Sequence, residues 1–487
     1  MTQPKPSPSS LSAAELQTYP IPSPTAPTAL QRTIYSSLRP PSYPTRSDLW
    51  PRLARTAIPA PNFAYVHNSA GLESTSRANV AAFDNYRLKP RMLVNATRRN
   101  LGVKLFGGRE ELEVPLLVGP VGVQEIVHGE AEMATARACR ETGVGVVLST
   151  AATRTIEQVA EVFTQMSQTG QDTAAKQADS VASDGNAAAK ATTESSESKL
   201  PPRWFQLYWP QPKYEAITAS LLRRAREAGY SVLVVTLDTF TLGHRPTDLD
   251  TAYLPFLYGQ GCQIGLSDPV FQRVFAEVQA QDTRSTAEKL RMAVDMLRRP
   301  GSVLGAVKVL RNLKRMQMSQ LWLDVMNSGT YREWEHLKIL RELWGDGPIV
   351  LKCIQTVQDA RHAADYGMDG IIVSNHGGRQ LDGAIASLDA LAEIAADEKV
   401  KNSNMDILFD SGIRTGVDVV KALCLGAKAC LIARPYMYGL AMGGQAGVEH
   451  VLRCVLAEMD NALGQMGKTG VAELSRSDLE FRLKAKL

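Results

Sequence analysis

Short apolar runs alternate with amphipathic stretches through the middle of this chain. The apolar runs fall at 115–119, 145–150, 204–208, 232–236, 349–352, 370–374, 406–410 and 429–433. Each is too short for a helix, which predicts a buried strand. Amphipathic segments at 129–142, 155–164, 214–228, 357–366 and 416–425 predict helices between them. Eight strands alternating with helices predict a parallel (β/α)8 TIM barrel. An open doubly wound sheet is the alternative, but no GxGxxG follows the first strand.

Two segments break the regular spacing. Residues 166–200 are low-complexity Ala, Ser, Thr, Asp, Lys and Gln, which predicts a disordered loop at the barrel's N-terminal face. Residues 239–348 follow the fourth strand. They therefore emerge at the C-terminal face, where they can cover a site as a lid. Residues 1–50 are rich in Pro, Ser and Thr and predict a loose extension. The barrel is expected over 51–465, with a C-terminal tail at 466–487.

The 487 residues carry a net charge of +4, from 54 basic and 50 acidic side chains, which makes no case for nucleic acid. No apolar run nears the ~18 residues of a membrane span, and the N-terminus lacks a basic-then-apolar signal pattern. Six cysteines without CxxC or metal spacing read as free thiols of a reducing compartment such as the cytoplasm. The last three residues, Ala485-Lys486-Leu487, resemble the peroxisomal C-terminal address.

In a barrel of this kind the C-terminal strand ends build the active site. Here those ends carry Gly119-Pro120-Val121-Gly122, Ser149-Thr150, Gln206 with Tyr208, Thr236 with Asp238, Lys352, Ser374 with His376, Asp410-Ser411-Gly412-Ile413-Arg414 and Ala433-Arg434. Any one of them has a bland reading as a packed or solvated strand end. Eight bland readings at the same end are less economical than one shared site. Arg414 and Arg434, beside glycine-flanked amides, suit a phosphate. Lys352 offers a point charge to an anionic ring. Ser149, Gln206 and Thr236 offer neutral hydrogen bonds to a planar heterocycle. A phosphorylated ring cofactor is implied. His376 adds a base that titrates near neutral pH, and Arg379 a planar cation suited to a carboxylate.

The run Ser374-Asn375-His376-Gly377-Gly378-Arg379-Gln380-Leu381-Asp382 resembles the signature of the FMN-dependent α-hydroxy-acid oxidase and dehydrogenase family. Phe205-Gln206-Leu207-Tyr208, Thr236-Leu237-Asp238-Thr239, Asp410-Ser411-Gly412-Ile413-Arg414 and Ala433-Arg434-Pro435 support it, in order, across residues 60–465. Tyr208-Trp209-Pro210, Arg245-Pro246-Thr247-Asp248-Leu249 and Tyr253-Leu254-Pro255-Phe256 look most like its lactate 2-monooxygenase-like branch. The resemblance implies FMN held by Pro120, Val121, Gly122, Ser149, Gln206, Thr236, Lys352, Ser374, Asp410, Ser411, Gly412, Ile413, Arg414, Ala433 and Arg434. It implies His376 as the catalytic base, paired with Asp238, and Tyr65, Tyr208, Arg245 and Arg379 around the substrate. The implied reaction oxidises a small lactate- or glycolate-like L-2-hydroxy acid to the 2-oxo acid, or decarboxylates it oxidatively, with O2 as acceptor. A homo-oligomer, often a tetramer in this family, is implied as well.

The chain departs from the family pattern in several places. His67 and Asn68 stand where small residues are usual, and Cys353 and Ala433 where glycine is usual. Ala151 replaces a tryptophan of glycolate oxidase, which admits a larger acid, and His244 replaces an aromatic or basic residue. The bulk near Tyr65 and at Ala433 supports a second expectation, a flavin-binding scaffold barrel without turnover.

Overall fold

A computed structural model describes residues 29–164, 200–281, 312–327 and 329–481, together with Glu288, Arg291 and Val294. Eight parallel strands close into a barrel. They are β1 Leu116–Val118, β2 Gly145–Ser149, β3 Arg203–Tyr208, β4 Val232–Thr236, β5 Ile349–Ile354, β6 Gly370–Val373, β7 Asp406–Asp410 and β8 Ala429–Ile432. Each pairs with the next, and β8 pairs back onto β1. The expected strands are the observed ones, and no end differs by more than two residues. The largest difference is at β5, which runs on through a bulge between Lys352 and Ile354.

Alternate residues of a barrel strand face the interior. The inner apolar layer takes at least one residue from every strand: Leu117, Val147, Trp204, Val232 with Val234, Val350, Ile372, Leu408 and Leu431. A hairpin below the strands, Val103–Leu105 against Glu110–Leu112, adds Leu105, Phe106 and Leu112 to that layer. The Phe106 ring lies 5.8 Å from Trp204. Aromatic side chains of this kind each withdraw about 150–250 Å² from water. The lower half of the barrel is therefore filled, and chemistry is confined to the other end. The helices clothe the outside through a second, larger apolar cluster.

Two residues further along each strand, the interior positions become Gly119, Ser149, Gln206, Thr236, Lys352, Ser374, Asp410 and Ala433. The apolar layer thus gives way to a polar one in a single step of the β period. This step, repeated round the barrel, is what positions the site.

Of the Pro/Ser-rich extension, residues 29–50 are described. Helix Ala29–Ser37 leads to Tyr43, whose ring meets His450, and to Trp50, which is buried and donates its indole N–H to Pro44 O at 2.7 Å. These contacts tie the barrel-proximal part of the extension down. In the C-terminal tail, Leu479–Phe481 pairs antiparallel with Tyr86–Leu88. The insertion after β4 contributes helices Pro246–Asp250, Gln263–Leu266, Pro269–Ala280 and Leu313–Met326. The expected loop at 166–200 lies outside the described residues apart from Leu200, as does the terminal Ala485-Lys486-Leu487. Among the described residues, no helix is long and apolar enough to cross a membrane.

Candidate active site

β6 stops at Val373, and the backbone then turns left-handed three times running. His376 has φ 58, Gly377 φ 66 and Gly378 φ 77. A Cβ on Gly378 would sit 2.7 Å from Ser76 N, and one on Gly377 would sit 2.9 Å from Arg434 Nη1. Both positions need glycine, for room as well as for conformation. His376 has no such freedom, and a left-handed non-glycine residue costs about 1–3 kcal/mol. The loop is over-determined enough to bear it. His376 N donates to Ser374 Oγ (3.0 Å), Gly377 N to Ser411 Oγ (2.9 Å) and Gly378 N to Asn375 Oδ1 (3.1 Å). The amides of Asn375 and Asn79 exchange two hydrogen bonds, at 2.7 and 2.8 Å. Asp382 closes the stretch by accepting from Leu72 N, Ser74 Oγ and Thr75 N.

This brace aims His376 at Asp238, just beyond β4. His376 Nδ1 lies 2.9 Å from Asp238 Oδ1. Burial works against the aspartate's charge, yet His376 and Lys352 hold its pKa well below the usual range. Burial is the larger influence on His376 and lowers its pKa despite Asp238. The aspartate is therefore ionised and accepts only, so Nδ1 carries the imidazole proton. Nε2 is left with a free lone pair. That is a general base at neutral pH.

Lys352 stands in the polar layer between the dyad and β7. Its Nζ is 3.2 Å from both Asp410 Oδ2 and Ser374 Oγ. Burial opposes its charge, and the carboxylates of Asp410 and Asp238 favour it. It is a fixed cation. Ser374 does not line the cavity as a ligand would; it spends its hydroxyl on Lys352, Asp410 and His376 N. Ser149 donates to Gln206 Oε1 at 3.1 Å and orients that amide. Among the described residues, Gln206 Nε2 is then buried with no partner.

The opposite wall concentrates positive charge. Arg379 donates to Tyr65 O and Asn68 O and lies over the Tyr65 ring at 5.4 Å. Arg245 donates to Arg379 O and Gln380 Oε1, with Asp248 3.9 Å away. Arg434 is held by Gly377 O and Ser69 Oγ. Burial, then Arg245 and Arg434, push Arg379 down to about 9. Burial also pushes Arg434 down to about 10. Cations depressed in this way by burial and by one another favour an anion among them. Tyr208 is pushed up to about 12 by burial and by Asp238, so its hydroxyl stays protonated and can donate.

One cavity gathers these groups. Tyr65, Pro120, Val121, Gly122, Tyr208, Arg245, Lys352, His376, Arg379, the Asp410–Arg414 loop, Ala433 and Arg434 all line it. A model for the FMN-dependent dehydrogenases matches residues 54–177 and 165–481. The chain belongs to that family. It is 40% identical over 436 residues to the FMN-dependent alpha-hydroxy acid dehydrogenase qulF of Penicillium citrinum, covering 90% of each chain. It is 34% identical to an L-lactate oxidase of a Nostoc species, covering 88% of this chain and 96% of that one. A mandelate oxidase solved with (S)-2-phenylpropionate superposes with a TM-score of 0.63 at 28% identity, covering 91% of this chain and 99% of that one. The chain is an FMN-dependent oxidoreductase of 2-hydroxy acids.

Family membership fits the residues present. The orphaned Gln206 Nε2 is a buried donor awaiting an acceptor such as a flavin ring offers. Arg414 and the left-handed Ser411-Gly412 pair sit at the start of helix Gly416–Cys424. Thr236 joins the polar layer beside Lys352, its register partner, and borders a second cavity. The bulk at 67–68 turns out of the site. His67 Nδ1 meets Tyr438 Oη at 2.8 Å and its ring stacks on Phe63, while Asn68 donates to Thr247. The scaffold alternative therefore loses its support near Tyr65.

Some contributors escaped the sequence reading. Asn79 and Ser69 brace the signature loop and Arg434 from far upstream. Leu242, Phe256, Met326 and Asn327 of the insertion line the cavity. For Leu242, Met326 and Asn327 the only sequence signal was the insertion's position after β4; Phe256 also ends the Tyr253-Leu254-Pro255-Phe256 motif.

Proposed function

We propose that this protein oxidises an L-2-hydroxy acid with an apolar side chain to the 2-oxo acid, with O2 as the final acceptor. FMN, when bound, supplies the two-electron acceptor. Arg245 and Arg379 bind the carboxylate, and Tyr65 and Tyr208 orient the carboxylate and hydroxyl. His376 Nε2 takes the substrate proton. Asp238 then stabilises the imidazolium so formed. Lys352 presents a fixed positive charge toward the negative charge that develops on reduction. The observation that carries this reading is one cavity lined both by His376, a neutral imidazole held by ionised Asp238, and by the buried Arg245–Arg379 pair. Val66, Ala151, Leu242, Phe256 and Met326 give that cavity apolar walls, which supports a substituent larger than hydrogen.

The test is anaerobic bleaching of the FMN-loaded protein by glycolate, L-lactate, L-2-hydroxyisocaproate and (S)-mandelate. Faster bleaching by the larger acids than by glycolate is expected. No bleaching by any of them would sink the reading. Met326 and Asn327, which line the cavity, favour retention of the 2-oxo acid, and hence some oxidative decarboxylation; carboxylic acid one carbon shorter among the aerobic products would establish it. The tetramer implied by the family is checked by light scattering. The terminal Ala485-Lys486-Leu487 supports a peroxisomal address, checked by import of a fluorescent fusion with and without it.

A further inference from the structure

Cys353 sits where β5 breaks its register. Pairing with β6 shifts between Lys352 and Ile354, and Cys353 takes φ 78. Glycine enters that conformation freely, and a β-carbon opposes it. The strained residue is at the heart of the site. Its Sγ, an Asp238 carboxylate oxygen and a His376 ring nitrogen all lie within 4.8 Å of one another. The same sulfur accepts from Lys352 Nζ at 3.5 Å. Asp238 uses Oδ1 for His376 and Thr239. Its Oδ2 is buried and has no hydrogen-bonding partner among the described residues, a costly state for a carboxylate oxygen. The neutral thiol is a donor within 4.8 Å of an Asp238 carboxylate oxygen and interacts with that carboxylate. Asp238 and Cys353 also border a second cavity, walled by Trp209, Phe240, Tyr331 and Trp334, which His376 does not line.

We propose that Cys353 is a positioning residue, whose thiol donates to Asp238 Oδ2, fixes Oδ1 on His376 Nδ1 and separates His376 from the second cavity. The proposal rests on His376 being the base. A donor on Oδ2 draws charge from the carboxylate, so His376 meets a weaker anion than it otherwise would. The other charged or titratable groups facing His376 are Lys352 of β5, Tyr208 of β3 and Arg245 of the insertion, with Asp410 of β7 behind Lys352. Lys352 loses one weak acceptor when Cys353 is changed but keeps Asp410 and Ser374 at 3.2 Å.

The test is the titration of His376 in FMN-loaded protein labelled at histidine Cε1, with His376→Gln marking its NMR signal. Cys353→Ala keeps the β-carbon and removes the donor. It is expected to raise the His376 titration by about half a pH unit. Cys353→Ser restores a donor and is expected to restore the parent value. Cys353→Gly is expected to raise Tm, because φ 78 suits glycine, while moving the titration as alanine does. That pairing of higher stability with a shifted titration is not what a merely structural role gives. If alanine weakens FMN binding, the serine and glycine variants carry the same comparison. An unmoved titration in alanine, or equal shifts in alanine and serine, overturns the proposal. The NMR readout needs no turnover. A protein that no hydroxy acid reduces therefore counts against the functional reading alone.

Discussion

Asparagine at position 238 keeps the shape of the aspartate and removes its charge. Asp238 Oδ1 lies 2.9 Å from His376 Nδ1, and the two side chains are only 16% and 18% exposed. When His376 accepts the substrate proton, an imidazolium forms beside that carboxylate. Charge centres about 4 Å apart, at an effective dielectric near 20, attract by about 4 kcal/mol. The amide retains a dipole and recovers part of this. A loss of about 3–4 kcal/mol remains, or roughly 10²–10³-fold in rate. Stopped-flow reduction of the FMN-loaded Asp238→Asn protein measures it, using the hydroxy acid that reduces the parent fastest.

The pH profile supplies an independent signature of the same change. Burial lowers the His376 pKa, and Asp238 opposes that fall. Without the carboxylate the pKa drops further. The neutral, active imidazole then persists to lower pH, so the rising limb of kcat/KM moves down while its plateau falls. A variant within about threefold of the parent rate, with the limb unmoved, would refute the dyad as the proton acceptor.

The remaining expectations concern the carboxylate clamp, the fixed cation and the loop. Arg379→Lys loses the planar fork and should raise KM about 10–100-fold with a smaller effect on kcat, read from steady-state kinetics. Lys352→Met should keep FMN but slow its reduction about 100-fold, read by anaerobic stopped flow; an unchanged rate would remove Lys352 from the charge-stabilising role. Gly378→Ala meets both φ 77 and Ser76 N, and should destabilise the protein by about 1–3 kcal/mol, read as a lower Tm. Asp382 is depressed to about 2 from 3.8, first by its hydrogen bond from Ser74. Its stabilising contribution is therefore full above about pH 4 and lost as pH falls toward 2. The Tm gap between parent and Asp382→Asn should close over that window.

Much of the site could be read from the sequence because barrel strands have a period of two. Lys352 follows Val350 by two residues, Ser374 follows Ile372, Asp410 follows Leu408, and Gln206 follows Trp204. Once a run is taken as a strand, the polar residue at its end must share the interior face of the apolar one before it. The contacts that hold the loop have no such local rule. Asn79 meets Asn375 across 296 positions, and Asp382 meets Ser74 across 308. Neither pair belongs to a periodic pattern, and an asparagine or aspartate in a turn reads equally well as solvated. The same blindness applies to His67, which is bulky at a position next to the pocket in sequence but is turned by the backbone onto Phe63 and Tyr438.

Cys353 lies between these two cases. By parity it should leave the interior, since Lys352 already occupies it. The bulge and φ 78 cancel that expectation and bring its sulfur back beside Lys352 and Asp238. A residue can thus join a site by breaking the alternation that places its neighbours there. The break is visible only in the backbone, because cysteine in a strand-like run carries no turn signal of the kind glycine would. Strain of this kind persists where surrounding contacts over-determine it. At β5 those contacts are the Lys352 ammonium and the Asp238 carboxylate, both beside the Cys353 sulfur. The strained position and the orphaned acceptor therefore account for each other. Neither is explained by the barrel fold alone.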